Sequence, residues 1–267
     1  MSRLSINSMT VRSWGVRELV DGCARAGIEA VGLWREPVAE AGLASAAKLV
    51  RDAGLRVSSL CRGGFFGADP GLVDNRRAID EAAELGAPCL VLVVGGLPEG
   101  SKDLRGARQR VADAIAELGP YAGERGVQLA VEPLHPMFCA DRAVVSTLGQ
   151  ALELATALPA DQAGVVVDTY HVWWDPQVEA AIAASAGRIA SYQICDWVTP
   201  LPADVLLGRG IPGDGHIDFP PLTAAVVAAG YTGDIEVEIF NEQVWAADPA
   251  TVIATIAARY QELFADA

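Results

Sequence analysis

Val127-Gln-Leu-Ala-Val-Glu132 is an apolar run that ends on a carboxylate. Three later runs end in the same way: Gly164-Val-Val-Val-Asp168 on an acid, Ile189-Ala-Ser-Tyr-Gln193 on an amide, and Ile235-Glu-Val-Glu238 on an acid. Each run reads as a buried strand, and the stretches between them read mostly as helix. Alternating strands and helices make a parallel sheet, and closing that sheet gathers the strand ends on one face. Side chains far apart in sequence therefore converge. The carboxylates of Glu132, Asp168 and Glu238 cannot share a buried site unless a cation neutralises them. With the Gln193 amide beside them, the four ends point to an oxygen-rich site for a hard divalent metal.

The same alternation extends back to the N-terminus. Strands are predicted at Arg3–Thr10, Glu29–Trp34, Leu55–Leu60 and Cys89–Val94, with helices near 15–26, 43–53 and 71–86. The clearest helix follows, where Leu104, Val111, Ile115 and Leu118 keep one face at helical period. Later helices are predicted near 144–157, 177–187, 220–229 and 248–264. Gly27, Gly54, Gly86 and Gly126 each stand between a helix and a strand, as left-handed C-caps would. The sum is eight β/α units in order. A (β/α)₈ barrel takes roughly 250 residues, so the 267 residues form one barrel domain over 1–267, with no linker and no repeat in residue identity. The long stretch 197–219 is the one large loop, on the same face as the four strand ends.

Composition narrows the function classes. The chain is 51% hydrophobic and 20% charged, with a net charge of −14. That charge repels nucleic acid and anionic lipid, whose unspecific binding needs cationic contacts. No uncharged apolar stretch reaches the length of about 18 residues that a membrane span requires, and Met1-Ser-Arg-Leu-Ser-Ile6 carries no apolar signal region. Five cysteines, Cys23, Cys61, Cys89, Cys139 and Cys195, form no Cys-x-x-Cys pair and read as free thiols of a reducing cytoplasm. The only lysines, Lys48 and Lys102, lie outside the predicted strands, which weakens Schiff-base chemistry.

Val131-Glu-Pro-Leu-His-Pro136, Val167-Asp-Thr-Tyr-His171, Tyr192-Gln-Ile-Cys-Asp196, Arg209-Gly-Ile-Pro-Gly-Asp-Gly-His216 and Glu236-Val-Glu-Ile-Phe240 together resemble the xylose-isomerase-like TIM-barrel superfamily of sugar isomerases and epimerases. The resemblance covers nearly the whole chain. It implies one divalent metal held by Glu132, Asp168, Gln193 and Glu238. Many epimerases of the family have histidine where Gln193 stands, whereas hydroxypyruvate-isomerase-like members have glutamine. An all-oxygen set favours Mn²⁺ or Mg²⁺ over Zn²⁺, with Co²⁺ as a further fit. The resemblance also implies that Glu132 and Glu238 flank the substrate as the proton-transferring pair, and that His171 and Arg209 bind substrate oxygens. Sugar 3-epimerases of the family carry a second glutamate where this chain has Phe138, which leaves room for another acid such as His135.

The implied reaction is isomerisation or epimerisation of a sugar, keto-polyol or hydroxyketone through an enediolate. A lyase of the inosose-dehydratase or C-glycoside-cleaving kind shares that first step. An apurinic-site endonuclease uses the same barrel, but needs many histidines and a DNA-binding surface, against three histidines and a charge of −14 here. A non-catalytic barrel would not need the four ligand positions. Homo-oligomers are common in the family. Three positions stay open. Arg62 binds a substrate anion or pairs with a rim acid. Trp34, with the other aromatics after strand ends, caps the core beneath the loops or lines an apolar wall for substrate. Glu236, pointing to the same side as Glu238, is expected to be structural, with an arginine as its partner.

Overall fold

The computed structural model describes residues 3–67, 69 and 71–264. Ten strands occur among them: β1 Leu4–Asn7, β2 Ala30–Trp34, β3 Arg56–Gly64, β4 Cys89–Val93, β5 Gln128–Glu132, β6 Ala163–Asp168, β7 Ile189–Ile194, β8 Asp196–Trp197, β9 Arg209–Gly210 and β10 Ile235–Val237. Eight of them close a barrel in the order β1-β10-β7-β6-β5-β4-β3-β2. All the barrel pairings are parallel. This is the (β/α)₈ barrel that the alternation of strands and helices predicts.

The longer helices form because they present an apolar stripe to the sheet. On Leu104–Glu124 the stripe is Val111, Ile115 and Leu118, all buried. Asp103 caps that helix by accepting from the Gly106 amide at 2.8 Å, which satisfies one of the orphan donors of its first turn. Gly27, Gly54, Gly86 and Gly126 all have φ between 69° and 71°, the left-handed conformation a C-cap takes. The expected caps are therefore found.

The departures are local. The predicted helix 43–53 is preceded by a second one, Arg35–Ala41, split from Leu43–Asp52 by Gly42 at φ 79°. Two further short helices occur: Thr169–Val172 follows β6 directly, and Glu242–Ala246 is separated from β10 by four residues. The long loop holds an antiparallel ribbon of β8 and β9, in which Trp197 pairs with Arg209. Asp196 ties that ribbon to the rest of the loop, its carboxylate accepting from the amides of Gly213, Gly215 and Ile217 at 2.8, 2.8 and 3.0 Å.

β3 runs on to Gly64, past the predicted end at Leu60, and its register with β2 slips between Val31/Gly32. The slip leaves Ser58 as the extra residue, so β3 offers two consecutive serines to the barrel interior. A bulge of this kind re-aims side chains. Beneath the strand ends the interior is lined in part by Cys61, Cys89, Val91, Ala130 and Val166.

Candidate metal centre

Glu132 is the last residue of β5 and Asp168 the last of β6, Gln193 precedes the last residue of β7, and Glu238 follows β10. In parallel register Asp168 sits opposite Gln193, and Gln193 opposite Glu236. All of these side chains are buried. Ligand atoms of Glu132, Asp168 and His171 lie within 4.8 Å of one another, and so do those of Cys61, Glu236 and Glu238. The Arg209 guanidinium links the two groups, with Nη1 at 3.0 Å from Asp168 Oδ2 and 3.2 Å from Glu238 Oε2.

Burial pushes the Glu132 carboxyl well above its ordinary range, and Asp168 and Glu238 push it further. Burial also raises Glu238, to about 7, against the pull of Arg209. Burial works against the Arg209 charge, but Asp168, Cys195, Glu238 and Glu132 overcome it and keep the guanidinium ionised. One guanidinium facing three carboxyls leaves an excess of negative potential that a divalent cation would relieve.

The donor set fits such an ion on a second count. Gln193 Oε1 is buried and has no hydrogen-bond partner among the described residues. Its Nε2 donates to Glu236 Oε1 at 3.1 Å. A buried carbonyl oxygen without a donor costs about 1–3 kcal/mol, and a cation is the natural complement to it.

The other expected site residues divide into those drawn in and those left at the mouth. Trp34 is drawn in, its indole N–H donating to Glu238 Oε1 at 2.9 Å. His171 is buried, its Nδ1 accepting from the His135 amide at 3.1 Å while Nε2 lies 3.0 Å from Arg209 Nη2. Burial, and then the Arg209 charge, holds this imidazole well below its usual pKa. A neutral imidazole has one lone pair, so it accepts from only one of these donors. His135 meets His171 only through its backbone; its ring packs against Trp174 and Trp197 at 5.3 and 5.2 Å. Arg62 remains at the mouth, over the rings of Phe65 and Trp34 at 4.2 and 5.5 Å, with no acid in ion-pair range among the described residues. His216 is exposed and pairs with Thr199. Phe138 turns its ring edge to His171 at 5.7 Å, so position 138 supplies no acid.

Glu236 corrects an expectation. No arginine meets it among the described residues. Oε1 accepts from Asn7 Nδ2 at 2.6 Å and Gln193 Nε2 at 3.1 Å, and Oε2 from the hydroxyls of Ser58 and Ser59 at 2.6 and 2.8 Å. Gly32 makes room for it, since a Cβ there would lie 2.4 Å from Glu236 Oε1. Gly32→Ala is expected to cost about 1–3 kcal/mol through this clash; a thermal melt unchanged by the substitution would contradict the tight fit.

The xylose isomerase-like TIM barrel pattern matches residues 20–262. The chain belongs to that family. A solved structure of a protein from Sinorhizobium meliloti 1021 is 48% identical, with a TM-score of 0.94 and coverage of 97% of this chain and 98% of that one. The crystal structure of the IolI protein with a bound zinc atom is 20% identical, with a TM-score of 0.83 and 98% coverage of both chains, a likeness of fold. Among curated relatives, 3-dehydroshikimate dehydratase of Pseudomonas putida is 32% identical over 171 residues, covering 62% of this chain and 25% of that protein. Inosose isomerase of Bacillus subtilis is 29% identical over 135 residues, covering 49% of this chain and 46% of that protein. The chain thus spans between a quarter and about half the length of these curated relatives. They are enzymes of the isomerase and dehydratase kinds. No helix among the described residues is long and apolar enough to cross a membrane.

Proposed function

We propose that this barrel is a divalent-metal-dependent enzyme that removes the proton next to the carbonyl of a small hydroxylated substrate, a sugar, keto-polyol or hydroxyketone, and so isomerises or epimerises it. The observation that carries the reading is the set of three buried carboxyls converging with an amide oxygen that lacks a donor. Glu132, Asp168, Gln193 and Glu238 would hold the ion. Their oxygens favour Mn²⁺ or Mg²⁺, with Co²⁺ as a further fit. A cation there supplies the charge that acidifies the substrate carbon and stabilises the enediolate.

The protein's own groups do the rest. Glu132 on β5 and Glu238 after β10, three strands apart around the barrel mouth, would take and return the proton at the substrate carbon. His171 and Arg209 offer a ring nitrogen and a guanidinium to substrate oxygens, and Arg209 reaches them from the ribbon behind the Asp196 clamp. Trp34, Arg62 and His135 form the rim that substrate crosses. The aromatic walls, including Tyr170 stacked on Trp197 at 4.7 Å, keep that rim poor in water. We place the protein in the cytoplasm, acting on a small molecule as a monomer or homo-oligomer.

A lyase reading has its own support. Phe138 occupies the place where 3-epimerases of the family carry a second acid, and a dehydratase stands among the curated relatives. Loss of a β-leaving group needs the same first proton abstraction. Incubating the Mn²⁺-supplemented protein with ketoses, inososes and hydroxypyruvate in deuterated water separates the two. Deuterium incorporation next to the carbonyl without loss of a group is the expected result. Release of water or an aglycone supports the lyase, and no exchange with any substrate counts against both.

A further inference from the structure

Gln193 brings an ambiguity that a carboxylate ligand does not have. Its amide presents oxygen on one side and nitrogen on the other, and only the oxygen can bind a cation. Something must decide which side faces the site. The amide nitrogen donates to Glu236 Oε1 at 3.1 Å and, with its second N–H, to the weak acceptor Cys61 Sγ at 3.9 Å. With nitrogen committed to Glu236, the planar amide turns its oxygen the other way, and that oxygen is the buried, unpartnered one.

Glu236 is itself fixed so that it can only accept. Asn7 Nδ2 shares Oε1 with Gln193, and Ser58 and Ser59 hold Oε2. Asn7 is fixed in turn by accepting from the Met9 amide at 2.9 Å. Four donors from β1, β3 and β7 thus converge on one carboxyl from β10, in a space kept open by the missing side chain of Gly32. Two of those donors exist because the β3 bulge turns both serines inward.

We infer that Glu236 is a positioning residue that sets the Gln193 amide oxygen toward the bound cation, an inference that rests on the metal reading above. The hub is part of what makes glutamine usable as a ligand in this barrel. Outer-shell partners that orient metal ligands are typically worth about 10–100-fold in metal affinity.

The test is Mn²⁺ affinity of the full chain, read from the electron paramagnetic resonance signal of free Mn²⁺ without reference to turnover. Glu236→Met removes the acceptor at similar volume and is expected to weaken Mn²⁺ binding about 10–100-fold. Glu236→Gln keeps an acceptor for Gln193, with its own amide nitrogen toward the serine hydroxyls, and is expected to weaken binding less than Glu236→Met. Gln193→Ala removes the ligand that Glu236 is inferred to act through, without adding a charge. Glu236→Met should therefore weaken Mn²⁺ binding about 10–100-fold in the wild type and by less than about threefold in the Gln193→Ala background. A Glu236 that acts through its own charge or through packing alone would weaken binding equally in both backgrounds, which overturns the inference. So does Mn²⁺ binding by Glu236→Met equal to wild type. If circular dichroism shows Glu236→Met unfolded, the same cross is read with Glu236→Gln, whose smaller loss should likewise vanish in the Gln193→Ala background. Wild-type protein that binds no Mn²⁺ would sink the metal reading and this inference together. Normal wild-type binding with additive variants sinks the inference alone.

Discussion

Glu132→Gln is expected to lower kcat by at least about 10³-fold, within the range that a positioned acid or base contributes once loss of a metal ligand is added. Glutamine has the shape of the protonated acid, so the packing around β5 is preserved. In the metal-free fold burial already holds Glu132 toward its protonated form. The variant should accordingly melt no lower than wild type without metal, and Asp168 and Glu238 lose a neighbour that repels them. Glu238→Gln should show the same loss of turnover but a different stability response. It sacrifices the ion pair with Arg209 at 3.2 Å and replaces the acceptor that receives the Trp34 indole. Measuring deuterium exchange and thermal melts on both variants separates chemistry from folding. Retention of more than about a tenth of wild-type exchange in either would remove it from the proton-transferring role.

The contrast between these two glutamates marks where the sequence is transparent. Glu132 and Asp168 end apolar runs, and a strand end in a parallel barrel has one place to go. Their convergence is therefore readable from pattern alone. The glycines at 27, 54, 86 and 126 are equally legible, because the left-handed cap conformation favours a residue without a Cβ. What stays hidden depends on three-dimensional partners. Arg209 lies far from Asp168 along the chain and reaches it only because an antiparallel ribbon folds inside a segment that reads as loop. Asp196 looks like one more acid after a strand until three loop amides are seen on it. Ser58 and Ser59 read as ordinary strand residues, since alternation puts only one of two neighbours inside. The register slip that admits both is decided by contacts between strands. The short helix Thr169–Val172 has a capping residue, Asp168, whose carboxylate accepts from the Tyr170 amide at 2.8 Å, but the same residue ends the strand and so reads first as a strand terminus. Arg35–Ala41 has Trp34 in place of a capping side chain and carries no start signal.

Adding Mn²⁺ at about 100 times its dissociation constant is expected to stabilise the fold by about 2.7 kcal/mol, or roughly 5–11 °C for a chain of this size. The increment should depend on pH in a defined direction. Burial raises Glu132 well above 4.5 and Glu238 to about 7, so in this window the folded metal-free chain holds protons that the unfolded chain has released. A carboxyl raised in this way contributes stability that is fully present below the unfolded value of 4.5 and is lost as pH rises through about 7. Without metal, the melting temperature should therefore fall between about pH 5 and pH 8 through these two groups. Metal binding runs the other way, because the same carboxyls must shed their protons to become ligands. The shift produced by Mn²⁺ should be small near pH 5 and large near pH 8. Glu132→Gln should flatten both trends, since it removes one of the groups that titrate. Scanning calorimetry in EDTA and in MnCl₂ at both pH values checks this. An equal Mn²⁺ shift at the two values would mean that the ion binds somewhere other than among these buried carboxyls.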